Sequence, residues 1–95
     1  MGVALHVRLA DGSEDVFEPS LTDTWPDGYE TCPPISRERV DFAFQVDGES
    51  LVVLARTTYR KNEGWPERET WAEPDYGDRA VGYYRPEQWT SVREH

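Results

Sequence analysis

Two alternating apolar stretches, each closed by Asp-Gly, restrict this chain to antiparallel β structure. Val40-Asp-Phe-Ala-Phe-Gln-Val46 runs into Asp47-Gly48, and Ser50-Leu-Val-Val-Leu-Ala-Arg56 returns. Earlier, Val3-Ala-Leu-His-Val-Arg-Leu9 meets Asp11-Gly12 and returns through Val16-Phe17. Alternation with a period of two puts one set of side chains on one face of a strand. Asp-Gly accepts the positive φ angles of a tight I′ turn. A two-residue Asp47-Gly48 loop sets Phe44 opposite Leu51, Phe42 opposite Val53 and Val40 opposite Ala55, all on one face. The other face then carries Ala43 opposite Val52, Asp41 opposite Leu54 and Arg39 opposite Arg56. A one-residue slip pairs Phe42 with Val52 and destroys the match. This hairpin reads as the centre of the fold.

The first hairpin admits two registers. A two-residue loop pairs Val7 with Val16 and Arg8 with Asp15, whereas a three-residue loop pairs Val7 with Phe17. Both turn Leu5, Val7 and Leu9 inward and His6 and Arg8 outward.

Residues 1–95 make a single β-rich domain. The expected class is all-β, or β-rich α+β: a small antiparallel half-barrel or sandwich of about five or six strands. At most one or two short helices are expected. Residues 18–34 read as an ordered loop pinned by Trp25 and Tyr29, and Tyr59–Gly64 as a turn. Pro66 at a first helical position allows a short helix over 65–73, with a loop as the alternative. Ala80–Arg85 reads as a strand, and 86–93 as a last strand or a short helix. The expected core is Leu5, Val7, Leu9, Phe17, Val40, Phe42, Phe44, Val46, Leu51, Val53, Val81 and Trp89.

Charge is the second informative feature, because the net value of −9 is unevenly spread. Residues 1–34 hold seven acids against Arg8, residues 35–61 five bases against four acids, and residues 62–95 eight acids against four bases. Between Leu9 and Ser36 there is no Lys or Arg at all. Such a surface repels nucleic-acid phosphates and attracts basic surfaces. A protein partner with a basic surface is expected, with no direct nucleic-acid contact. The candidate contact residues are Asp11, Glu14, Asp15, Glu18, Asp23, Trp25, Asp27, Tyr29 and Glu30. Solubility alone also explains an acidic surface, and nine Arg against the single Lys61 fits a halophilic or high-GC source.

The single Cys32 excludes an intramolecular disulfide. No signal-peptide pattern and no apolar run of membrane-spanning length is present, so a cytoplasmic protein without a membrane partner is expected. Met1-Gly2 opens like a myristoylation site, but His6 stands where Ser or Thr is required.

Catalytic constellations are thin. His6 and Cys32 are the internal candidates for a base and a nucleophile, since His95 is terminal. Cys32 lies in Thr-Cys-Pro-Pro with no cluster of bases to lower its pKa. One Cys and two His without paired spacing match no structural zinc motif, and the acidic loops do not follow the EF-hand pattern. No catalytic residue, metal or cofactor is expected, and the chain reads as a non-enzyme.

The expected function is that of a small acidic interaction protein docking on a macromolecular partner with a basic surface. Its type is similar to phage- or mobile-element-encoded inhibitors such as anti-CRISPR or DNA-mimic proteins, an analogy that no motif carries. The alternative is a small-molecule binder holding an anionic, nucleotide-like ligand among Arg8, Arg56, Tyr83, Tyr84 and Arg85. A homodimer through an unpaired edge strand is a further expectation.

Overall fold

The computed structural model describes residues 3–94. Met1-Gly2, with the acylation pattern, and His95 lie outside the described residues. Seven strands form: β1 (Leu5–Leu9), β2 (Glu14–Phe17), β3 (Ser20–Thr24), β4 (Ser36–Asp47), β5 (Ser50–Lys61), β6 (Asp75–Tyr84) and β7 (Trp89–Glu94). They build two antiparallel sheets, ordered β2-β1-β7 and β3-β4-β5-β6. The strand count is thus one or two above the expectation. Among the described residues no helix forms, so 65–73 is a looped segment and the chain's last element is a strand. No helix there is long and apolar enough to cross a membrane.

The central hairpin forms in a register two residues away from the expected one. Its loop is Gly48-Glu49, closed by Asp47 opposite Ser50. Gly48 has φ +65°, and among the described residues none other than glycine has positive φ. An I′ turn over Asp47-Gly48 needs positive φ at Asp47, whereas II′ needs it at the first loop position alone, where Gly48 sits. Val46 therefore faces Leu51, Phe44 faces Val53 and Phe42 faces Ala55. A shift of two keeps every side chain on its own face. It does re-pair the charges: Arg39 lies opposite Thr58, not Arg56, and Arg56 lies between Asp41 and Asp78.

The first hairpin adopts neither expected register. Leu9 N–H donates to Ser13 O (2.8 Å) and Gly12 N–H to Leu9 O (3.1 Å), so the loop is Ala10-Asp11-Gly12. Gly12 at φ +91° completes a type I turn followed by a left-handed residue. Leu5 consequently faces Phe17, Val7 faces Asp15 and Arg8 faces Glu14.

The small sheet crosses the large one rather than running along it. Phe17 packs on Phe42 of β4 with ring centroids 5.4 Å apart, while Asp15, two residues earlier, accepts from Tyr84 O–H of β6 at 2.7 Å. This crossing seals Leu5, Val7, Leu51 and Val53 completely, with Leu9, Phe17, Phe42, Tyr84, Trp89 and Val92 around them. Gly82 sits under Phe17, and a Cβ there would press on Tyr84 Cε2 at 3.2 Å.

Because the crossing sheet is short, the twelve-residue strands β4 and β5 extend beyond it in a body of 54 × 22 × 19 Å. Phe44, Val46 and Val81, expected in the core, are exposed because they lie on β4 and β6, to either side of the sealed Leu51 and Val53 of β5, and Val40 is half-buried. Ala55 is buried instead. The uncovered part of this face is an open trough of about 650 Å³ between Phe17, Val40, Phe42 and Arg79.

Burial of Tyr84, reinforced by its bond to the Asp15 carboxylate, pushes its phenol up to about 12. An unfolded tyrosine ionises near pH 10. The folded state therefore retains a proton that the unfolded chain loses, and stability falls as pH rises from about 10 to 12. In an ultraviolet titration one tyrosine should ionise after the others, and Tyr84→Phe should remove that late step.

Candidate interaction surface

The acidic candidates divide between the two ends of the molecule. Asp11 lies in the β1–β2 loop, beside Ala10, whose N–H donates to Gln88 O (3.0 Å). Trp89 Nε1–H reaches Glu49 O in the β4–β5 turn at 3.0 Å, which ties this end to the tip of β4. Asp27, Tyr29 and Glu30 are exposed in the loop before β4 begins. Twelve residues of strand separate these ends by about 40 Å.

Several of the acids also have partners within the fold. Glu14 contacts His6 Nδ1 and lies 3.7 Å from Arg93 Nη2. Asp23 accepts from Arg37 Nε (2.7 Å) and Nη2 (3.1 Å). Trp25 is half-buried, donating its indole N–H to Cys32 O at 2.8 Å, and Tyr29 packs edge-on against Trp65 at 5.4 Å. Glu18 is exposed where the chain crosses from β2 to β3.

The alternative Arg/aromatic set is not brought together. Arg8 lies on the outer face of the small sheet near Glu14 and Arg93. Arg56 is on the open face of the large sheet, donating to Asp78 at 3.1 and 3.4 Å. Tyr83 shares that face and its O–H reaches Ser50 Oγ at 3.3 Å, whereas Tyr84 points inward. Arg85 begins the β6–β7 turn. His6 and Cys32 are likewise on separate sheets' surroundings, His6 on β1 and Cys32 half-buried in the β3–β4 loop.

What the structure adds is a free strand edge. Strand β3 pairs with β4 only from Ser36 to Val40. Asn62 N–H donates to Ile35 O, so odd-numbered β4 residues bond to β5 and even-numbered ones turn toward β3. Beyond Val40 the even-numbered Phe42, Phe44 and Val46 turn their N–H and C=O groups toward an edge where no strand is paired. Beside this edge Phe44 is 38% and Val46 49% exposed. Asp41 and Asp47 bracket it, and Glu49 follows in the turn.

Sequence reading places the β4–β5 hairpin at the centre of the fold, and the alternation of β4 says nothing of how short its outer neighbour is. A second missed feature is the meeting of Arg37, Arg39 and Arg60 on the open face of the large sheet, all from the one chain segment with an excess of bases. Among the described residues no three His, Cys, Asp or Glu side chains gather as a metal site. No protein-family model matches the chain, and no curated protein or solved structure matches it either.

Proposed function

We propose that this protein is a non-enzymatic interaction module that docks on a macromolecular partner by adding one of its extended, basic segments to the free edge of β4. The unpaired backbone of Phe42, Phe44 and Val46 carries this reading. An open edge offers main-chain hydrogen bonds to an incoming strand, and alternate side-chain contacts set its specificity. Phe44 and Val46 supply the apolar contacts. Asp41, Asp47 and Glu49, within a chain of net charge −9, favour a segment with Lys or Arg at its ends.

Pairing with a second copy is disfavoured by the same residues. A two-fold antiparallel pairing centred on Phe44 sets Asp41 opposite Asp47 of the other copy at both ends, and like charges directly opposed are destabilising.

The test places a photo-crosslinking amino acid at position 45 and identifies the peptide captured in lysate of the native host. The expected product is a Lys- or Arg-rich segment of one partner, lost at high salt and in Phe44→Pro. A crosslink to this same chain, a crosslink to an acidic segment, or one indifferent to Phe44→Pro overturns the reading.

A further inference from the structure

The open face of the four-stranded sheet gathers like charges where an unliganded sheet has no reason to. Arg37 and Arg60 are direct cross-strand neighbours on β4 and β5, and Arg39 follows Arg37 two residues along the same face. Like charges placed directly opposite each other destabilise a ladder unless something compensates them. Compensation here is partial. Asp23 takes up Nε and Nη2 of Arg37. Arg39 Nε is 3.8 Å from Asp41 Oδ2, beyond hydrogen-bond reach. Arg60 has no carboxylate partner among the described residues.

Two of the three guanidiniums keep a buried donor unused. The Nε atoms of Arg39 and Arg60 are both out of solvent and without a hydrogen-bond partner. An unpaired buried donor is costly to retain in a protein. Both atoms belong to side chains that line one pocket of about 180 Å³, with Arg37, Leu21 and Thr58 forming the rest of its wall. That volume equals about six water molecules in the liquid, enough for a tetrahedral oxyanion.

Two of the guanidiniums, those of Arg37 and Arg60, are also held in place before any ligand arrives. The Trp71 ring centroid lies 5.2 Å from Arg37 Cζ and 5.8 Å from Arg60 Cζ, so one aromatic ring makes a cation–π contact with both. Trp71 is itself tied to the sheet through its bridge to Asn62. Side chains fixed in this way lose little freedom on binding.

We propose that this pocket binds a phosphate group, either as the free ion or as a monoester. Arg39 and Arg60 each bring a guanidinium to the wall, and its terminal Nη donors suit phosphate oxygens. Arg37, with Nε and Nη2 committed to Asp23, adds Nη1, and the Thr58 hydroxyl lies in the same wall. Donors from three guanidiniums match a tetrahedral anion with three or four oxygens. A carboxylate, with two oxygens, is filled by one fork. The site is independent of β4's free edge, lying on the far side of Val40 along the strand.

The test follows the arginine Nε–H resonances of ¹⁵N-labelled full-length protein while inorganic phosphate, methyl phosphate or acetate is added at constant ionic strength. Saturable shifts with phosphate, a rise in the thermal midpoint, and a roughly tenfold or greater loss of affinity in Arg60→Gln are expected. Arg39→Gln is the second variant, used if Arg60→Gln lowers the midpoint before any ligand is added. Arg56→Gln, on the same face but outside the pocket, should bind as the wild type does. Methyl phosphate binding as tightly as phosphate identifies a monoester site, and weaker binding identifies a site for the free ion. The absence of saturable shifts, acetate binding as well as phosphate, or equal losses in Arg56→Gln overturns the proposal.

Discussion

Replacing Asn62 by alanine should destabilise the fold by about 3 kcal/mol or more, the largest effect expected of a single polar side chain here. Asn62 follows β5 and is 3% exposed. Its Oδ1 accepts from the N–H groups of Gly64 and Thr70, both at 3.0 Å, and its Nδ2 donates to Pro34 O at 3.2 Å. Alanine leaves those three backbone groups without their partner; Pro34 is buried, Gly64 half-buried and Thr70 exposed, and an unsatisfied group costs about 1–3 kcal/mol when buried. Solvent reaching the loop lowers the total, so the lower part of the summed range applies. Urea titration should show a lower midpoint at unchanged slope, the sign of lost stability rather than of altered compactness. A midpoint equal to wild type would mean that the 62–72 loop is not held through this side chain.

The same change has a consequence for the arginine face. Glu63 N–H donates to Thr70 O (2.7 Å) and Ala72 N–H to Lys61 O (3.0 Å), so the loop returns alongside the end of β5. Trp71 sits in that return and makes cation–π contacts with Arg37 and Arg60. Asn62→Ala should therefore also loosen the guanidiniums, through a residue that touches none of them.

How much of this was legible in the sequence depends on what each pattern encodes. Alternation at Val40–Val46 and Leu51–Ala55 encodes which side chains share a face, and those faces formed. It does not encode register, because a shift of two residues leaves every face unchanged. Only the φ at Asp47, positive in the I′ loop and not in the II′ loop, separates the two. Nor does it encode how far the opposing sheet reaches, which is why Phe44 and Val46 share the core face and yet stay in solvent. Strand β3, Ser-Leu-Thr-Asp-Thr, carries no apolar alternation, since it closes part of an edge and contributes nothing to the core. Residues 86–93 fit a strand or a short helix by pattern alone, and β7 shows that Trp89 and Val92 pack inward from a strand.

The site was less legible than the fold. The arginine pocket needs residues 37, 39 and 60 to meet, which follows only from the true register of β4 on β5. In the register expected from Asp47-Gly48, Arg37 falls opposite Thr58 and Arg39 opposite Arg56, so the arginine brought beside them is Arg56 and not Arg60. The acidic run fared differently. Its residues are close in sequence, but the chain passes from the small sheet to the large one within them, and the fold sends them to opposite ends.

Gln45→Pro should destabilise the protein by about 2 kcal/mol more than Phe44→Pro, although the two positions are adjacent on one exposed stretch of strand. Gln45 faces Val52, and as an odd-numbered residue of β4 it directs its N–H into the β4–β5 ladder. Proline there removes the donor, pushes its ring between two strands and leaves Val52 C=O unpaired. Phe44 turns its N–H to the free edge, where proline is tolerated in sheets because no ladder bond is lost. Thermal and urea midpoints of the two variants measure the difference. Equal losses would mean that β4 does not present Phe42, Phe44 and Val46 outward, and the strand-addition reading would fail with it. If the difference appears, Phe44→Pro becomes a folded protein with a blocked edge. Partner capture lost in that variant then reports on docking alone, since its ladder, its core and its arginine face are all retained.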